Sequence, residues 1–194
     1  MMRSGESGRR RGVISTASRG ADGRADDDVG YRVIKGRRWR ISDPAIPETL
    51  RQALVGELMA ARRAVGRAGR DDDAPSLARA RARVQDAKVA LGERGPRWWL
   101  PRDEDDHRAR AIAATRALLR ARDGAAPPSP ADIARVVDGA HWRRRLALVR
   151  GVLFDLAAAG EIDVRQRGAR VDGVVRGPIS LARGRGFPAP PEPA

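Results

Sequence analysis

The sequence contains no cysteine, so it offers no disulfide, no thiolate metal site and no cysteine nucleophile, and a reducing compartment suits it. Lysine is almost missing as well, since of 39 basic residues only Lys35 and Lys88 are not arginine. Aromatic residues make up only 4%. No run of about 18 apolar residues occurs, which excludes an ordinary membrane-spanning helix. The segment Gly12-Val13-Ile14-Ser15-Thr16-Ala17, after Arg9-Arg10-Arg11, is too short and polar for the apolar core of a signal peptide. The expected location is cytoplasmic.

Catalytic patterns are missing too. His107 and His141 stand in unrelated contexts without metal-ligand spacing, and each is expected at a helix start or turn. Paired carboxylates occur only in runs that read as solvated, where nothing would raise a pKa for acid catalysis. There is no glycine-rich phosphate loop with lysine and no serine with a matching histidine and aspartate. The expectation is a protein that is not an enzyme, with no cofactor and no metal.

What the chain does have is arginine, and a net charge of +14. Abundant alanine, glycine and proline suggest that a GC-rich genome contributes to the arginine count, but composition alone does not make charge. From Tyr31 to Pro101 sixteen basic side chains face eight acidic ones, and from His107 to Arg183 fifteen face seven. Both segments are basic, which favours polyanionic partners and salt-sensitive association.

The pattern divides the chain into a disordered leader (1–30), a β-hairpin with an antiparallel helix pair (31–101), an acidic linker (102–106), a second module (107–183) and a disordered tail (184–194). The fold class is mostly α with small β elements. In the first module, Tyr31 to Lys35 and Arg38 to Ile41 alternate large apolar and basic residues around Gly36-Arg37, as a hairpin does. A helix follows from Pro47, with Leu50, Leu54, Leu58 and Met59 on one side, ending around Gly66 to Gly69. Pro75 opens the next, whose Leu77, Ala80, Val84, Ala87 and Leu91 repeat a 3-4 spacing. Val33, Trp39 and Ile41 of the ribbon are expected to cover these helices, because a two-stranded ribbon is marginal alone. Trp98 and Trp99 then either fold back to seal the helices or form a partner contact.

The second module opens with a helix from His107 to Arg122. Ser129-Pro130-Ala131-Asp132 reads as a capped helix start, and Asp138-Gly139-Ala140 as the turn before another helix. Between His141 and Ala159, Trp142, Leu146, Val149, Leu153 and Leu156 form one apolar stripe. At about 100° per residue, Arg144, Ala147 and Gly151 lie opposite it, flanked by Arg143 and Arg150. Ile162 and Val164 alternate with Asp163 and Arg165 as a strand, and Gly177 to Leu181 returns beside it. The whole is a winged helix-turn-helix pattern. Its candidate nucleic-acid contacts are Arg143, Arg144 and Arg150 on the helix, and Arg165, Arg167, Arg170 and Arg176 on the wing.

Two resemblances accompany this pattern. Trp142-Arg143, Val149-Arg150, Leu156-Ala157, Gly160, Ile162, Gln166-Arg167-Gly168, Val171-Asp172 and Gly177-Pro178-Ile179 resemble a small bacterial winged-helix family with a domain-of-unknown-function label, over His107 to Arg183. That resemblance implies a fold and no activity. Gly36 to Pro47, Leu58 to Val65, Ala82 to Gly95 and Trp98-Trp99 resemble small actinobacterial proteins automatically labelled biopolymer transporter Tol. The label implies transport, for which the sequence offers no membrane segment or energy-coupling helix.

The functional expectation is a nucleic-acid-binding accessory or regulatory protein, on duplex DNA before RNA. The alternatives are a protein-interaction adaptor using the winged helix and Trp98-Trp99, since fold does not fix function, and a binder of structured RNA.

Overall fold

The computed structural model describes residues 29–122 and 126–188. Most of the expected leader, residues 1–28, and the end of the expected tail, 189–194, lie outside the described residues. Strands β1 (Tyr31–Ile34) and β2 (Arg37–Arg40) pair antiparallel, with Tyr31 opposite Arg40 and Ile34 opposite Arg37. Their turn is Lys35-Gly36, with φ of 51° and 73°. Positive φ at both central positions matches the twist of the flanking strands. The turn therefore falls one residue earlier than expected, and Arg37 already belongs to β2.

The ribbon does not cover the helices. Val33 and Trp39, expected in the core, are 66% and 46% exposed. The ribbon is tied down at its base, where Ile41 N–H donates to the Gly30 carbonyl at 3.0 Å and Trp98 Nε1 donates to the Ile41 carbonyl at 3.2 Å. Trp99 meets Tyr31 edge-on, 5.5 Å between centroids, and covers Gly30 so closely that a Cβ there would lie 1.9 Å from the ring.

Helices α1 (Glu48–Arg70) and α2 (Ala74–Ala90) form an antiparallel pair. α1 continues through Gly66 and Gly69, which lie on its exposed side, while Ala64 and Ala68 stay buried. Against Leu50, Leu54, Leu58 and Ala61, α2 presents the buried alanines Ala80, Ala87 and Ala90. Leu77 and Val84 are only half-buried. Arg83 crosses the pair to both oxygens of Glu57, at 2.9 and 2.8 Å.

Helix α3 (Glu104–Ala121) begins three residues before His107. The acidic run expected as a linker is its capping box. Asp103 accepts from the Asp106 N–H at 2.8 Å, and Asp106 accepts from the Asp103 N–H at 3.3 Å. Carboxylates in that first turn also meet the positive end of the helix dipole. α3 is the element shared by both halves, since it packs against α1 and α2 as well as the helices that follow. Its arginines fan out accordingly, Arg120 to Asp86 of α2 at 2.8 Å and Arg116 to both oxygens of Glu161 at 2.9 and 2.7 Å. One hydrophobic cluster runs through the molecule from Ile46 to Phe187.

Helix α4 (Pro130–Asp138) starts as the sequence indicates, in a capping box between Ser129 and Asp132. The long helix expected from His141 to Ala159 is instead a 3₁₀ segment, Gly139–Arg145, leading into α5 (Leu146–Ala158). Val149, Leu153 and Leu156 of the expected stripe are buried together with Val152, whereas Trp142 and Leu146 are half-buried. Strand β3 (Ile162–Gln166) lies between β4 (Ala169–Arg170) and β5 (Ser180–Arg183), antiparallel to both. Pro178 falls before β5, where it interrupts no ladder. Part of the expected disordered tail is packed: Phe187 is buried, and a Cβ on Gly184 would come within 2.4 Å of the Gly160 carbonyl.

Candidate nucleic-acid interface

The kink between α4 and α5 is built around Asp138. Arg145 Nε donates to its carboxylate at 2.8 Å, Arg144 Nε lies 3.4 Å away, and Arg102 Nη2 lies 3.8 Å away. Burial alone would raise this carboxyl's pKa, but the Arg145 hydrogen bond and the charges of Arg145, Arg144 and Arg102 hold it below its ordinary value. Gly139 makes the turn with φ of 42°, pressed against Ala45, so that a Cβ would fall 2.6 Å from the Ala45 Cβ. His107 is buried nearby and donates from Nδ1 to the Asp103 carbonyl, and burial pushes its pKa down.

Arg144, expected opposite the apolar stripe, is 60% exposed and shares Asp138 with Arg145. Arg143 is exposed and has no carboxylate partner among the described residues; it lies over the Trp142 ring at 4.6 Å, with Arg135 also against that ring at 4.5 Å. Ala147 and Gly151 are exposed on α5, leaving room for close approach. Arg150 has another role. It is half-buried and donates to the carbonyls of Val175 and, at 3.1 Å, Gly177. It thus braces α5 against the loop before β5.

The same loop is held from β3. Gln166 Nε2 donates to the Arg176 carbonyl at 2.6 Å and lies 3.3 Å from that of Pro178. Arg167, in the left-handed turn to β4, and Arg176 are exposed without carboxylate partners among the described residues. Arg170 instead reaches Asp163 at 3.1 Å and Asp172 at 3.5 Å, and Arg165 lies 3.9 Å from Asp163. Of the seven candidate arginines, Arg143, Arg167 and Arg176 have no carboxylate partner among the described residues, Arg144, Arg165 and Arg170 share carboxylates, and Arg150 bonds backbone carbonyls.

Residues 108–184 match the family model described as a protein of unknown function (DUF3253). The matched segment begins inside α3 and ends just after β5, so it contains all seven arginines and excludes the ribbon and the α1–α2 pair. No curated protein matches the chain. Among the described residues no group of His, Cys, Asp or Glu could hold a metal ion, and no helix is long and apolar enough to cross a membrane.

Trp98 and Trp99, the candidate partner contact, are half-buried at the ribbon's base, 5.0 Å apart by ring centroid. The surface that sequence reasoning misses is the ribbon itself. Every residue from Arg32 to Trp39 is exposed. The adjacent apolar pair Val33-Ile34 is the signal: successive strand side chains point to opposite faces, so no single face could bury both.

Proposed function

We propose that this protein binds duplex nucleic acid, DNA before RNA, through a winged helix-turn-helix built from α3, α4, α5 and the β3–β5 sheet. The observation that carries this reading is the clamp on the wing loop. Arg150 holds the carbonyls on either side of Arg176 while Gln166 holds that of Arg176 itself. The clamp ties the backbone at Arg176 to α5 through Arg150 and to Gln166, the neighbour of Arg167 in the chain, while Arg143 precedes the start of α5. Guanidinium groups without carboxylate partners, together with exposed Ala147 and Gly151, suit a phosphate backbone brought close to a helix. Arg144, Arg165 and Arg170 add charge that their carboxylates partly offset. No cofactor is part of this reading, and the cytoplasm is the compartment it implies.

An electrophoretic shift on duplex DNA, repeated across salt concentrations, tests it. The triple variant R143Q/R167Q/R176Q should bind more weakly and flatten the dependence of log affinity on log salt by about 2 to 3, at about 0.9 for each phosphate that is no longer neutralised. Competition with duplex RNA separates the two nucleic acids. A wild-type chain that shifts no duplex even at low salt removes the proposal.

A further inference from the structure

Four of the seven exposed large hydrophobic residues of the described chain, Val29, Val33, Ile34 and Trp39, lie in or beside the ribbon. Between them stand Arg32, Lys35, Arg37, Arg38 and Arg40, with no carboxylate from Val29 to Ser42. A surface that is at once apolar and uniformly cationic disfavours an ordinary protein partner and suits a polyanion with apolar walls.

The register sorts these residues onto two faces, because directly opposed residues of an antiparallel pair project to the same side. Tyr31 with Arg40 and Val33 with Arg38 share one face, and Trp99 sits against its base, edge-on to Tyr31 and 5.6 Å from the Arg40 guanidinium. Arg32 with Trp39 and Ile34 with Arg37 share the other. That second face borders an open groove of about 750 Å³, floored by Pro44, Ala45, Ile46 and Pro47. The two acids lining the groove are already engaged, Glu48 by Arg51 and Glu93 by Lys88 and Ser42.

From this juxtaposition we infer that the β1–β2 ribbon is a second nucleic-acid contact, entering a duplex groove with Arg32, Lys35 and Arg37 on phosphates and Ile34 and Trp39 against the groove wall. A two-stranded ribbon matches the width of a duplex major groove, where apolar side chains contact the thymine methyl groups. The ribbon's base is fixed to the rest of the protein. Asp43 to Ile46 leads from it past Gly139, the turn that precedes Arg143 and Arg144. The inference extends the nucleic-acid reading above, but its residues are separate from the wing arginines.

The experiment measures fluorescence anisotropy of a labelled DNA duplex of about two helical turns across a salt series. R32Q/K35Q/R37Q should lose at least about tenfold in affinity near 0.1 M salt and flatten the salt slope by about 2 to 3. R32K/R37K, which keeps the charge, should retain the wild-type slope. Trp39→Ala should lose affinity with the slope unchanged. Wild-type affinity and slope in R32Q/K35Q/R37Q overturn the inference, as does a loss in R32K/R37K as large as in the glutamine variant. Full affinity in Trp39→Ala overturns the placement of the indole in a groove. R143Q/R167Q/R176Q, measured alongside, separates the two readings: weakening there with a silent ribbon leaves the wing proposal alone standing, and weakening only in the ribbon variant leaves the ribbon alone.

Discussion

Asp43 and Arg110 stand 67 residues apart in sequence and 2.8 Å apart in space, in a buried ion pair that ties the segment leaving the ribbon to α3. Both partners make further hydrogen bonds, although Arg110 Nη2 is buried without one among the described residues. Asp43 accepts from the Ala45 N–H at 2.9 Å, its own N–H donates to Leu91 at 2.8 Å, and Arg110 Nε donates to Ala90 at 3.2 Å. Burial pushes the Arg110 pKa down, and the Asp43 charge opposes that. Asp43→Ala would leave a guanidinium buried without its counter-charge, which costs about 3 to 5 kcal/mol. Urea denaturation should show that loss. It should also show the Asp43→Ala/Arg110→Met double variant more stable than the sum of the two single losses, because the stranded charge is gone.

Gly139 gives a backbone prediction. An alanine there meets a positive φ, the Ala45 Cβ at 2.6 Å and the Ala45 carbonyl oxygen at 3.0 Å. Backbone strain of this kind costs about 1 to 3 kcal/mol, and the overlap adds to it. Ala45→Gly removes the Cβ overlap and leaves the φ and the close backbone oxygen of residue 45. In thermal unfolding, Gly139→Ala should therefore lower the midpoint clearly, and the double variant should recover only part of the drop.

Asp138 should make stability depend on acid. Its folded pKa is held below the ordinary 3.8, so its contribution is complete above that value and is lost as pH falls through the folded pKa. Asp138→Asn removes the charge-assisted bond to Arg145, worth about 1.5 to 3 kcal/mol at neutral pH. Denaturation across pH should show that deficit shrinking below pH 3.8, as the wild-type carboxyl takes up its proton.

His107 should act on a different pH window. Burial, aided by the charges of Arg145 and Arg102 and opposed by the Asp103 hydrogen bond and Asp138, lowers its pKa from 6.5. The folded state then resists a proton that the unfolded chain accepts, so stability is full above pH 6.5 and declines as pH falls toward the folded value. His107→Gln should be less stable at pH about 8 and should show a flatter pH profile just below 6.5.

The features written in local chemistry are legible in the sequence. Ser129 and Asp132 announce the start of α4, the 3-4 spacing announces α1 and α2, and alternation announces β3. Features fixed by distant partners are not. Nothing in an apolar stripe reveals that Asp138 will bond Arg145 seven residues on and hold a 3₁₀ segment between them. The arginines around β3 and β4 can be named from the sequence pattern, but which of them meet Asp163 depends on the β3–β4 register. The ribbon's exposure is half legible, since apolar side chains on both of its faces cannot share one core.

The boundary at residue 108 has a practical meaning for anyone who isolates the C-terminal portion. A polypeptide begun there starts after Asp103 and Asp106 have closed the first turn of α3, and it wets the flank of that helix normally sheltered by α1 and α2. Fraying and self-association should follow. A start before Asp103 restores the cap, but only a replacement cover of similar apolar outline would keep the fragment single in solution.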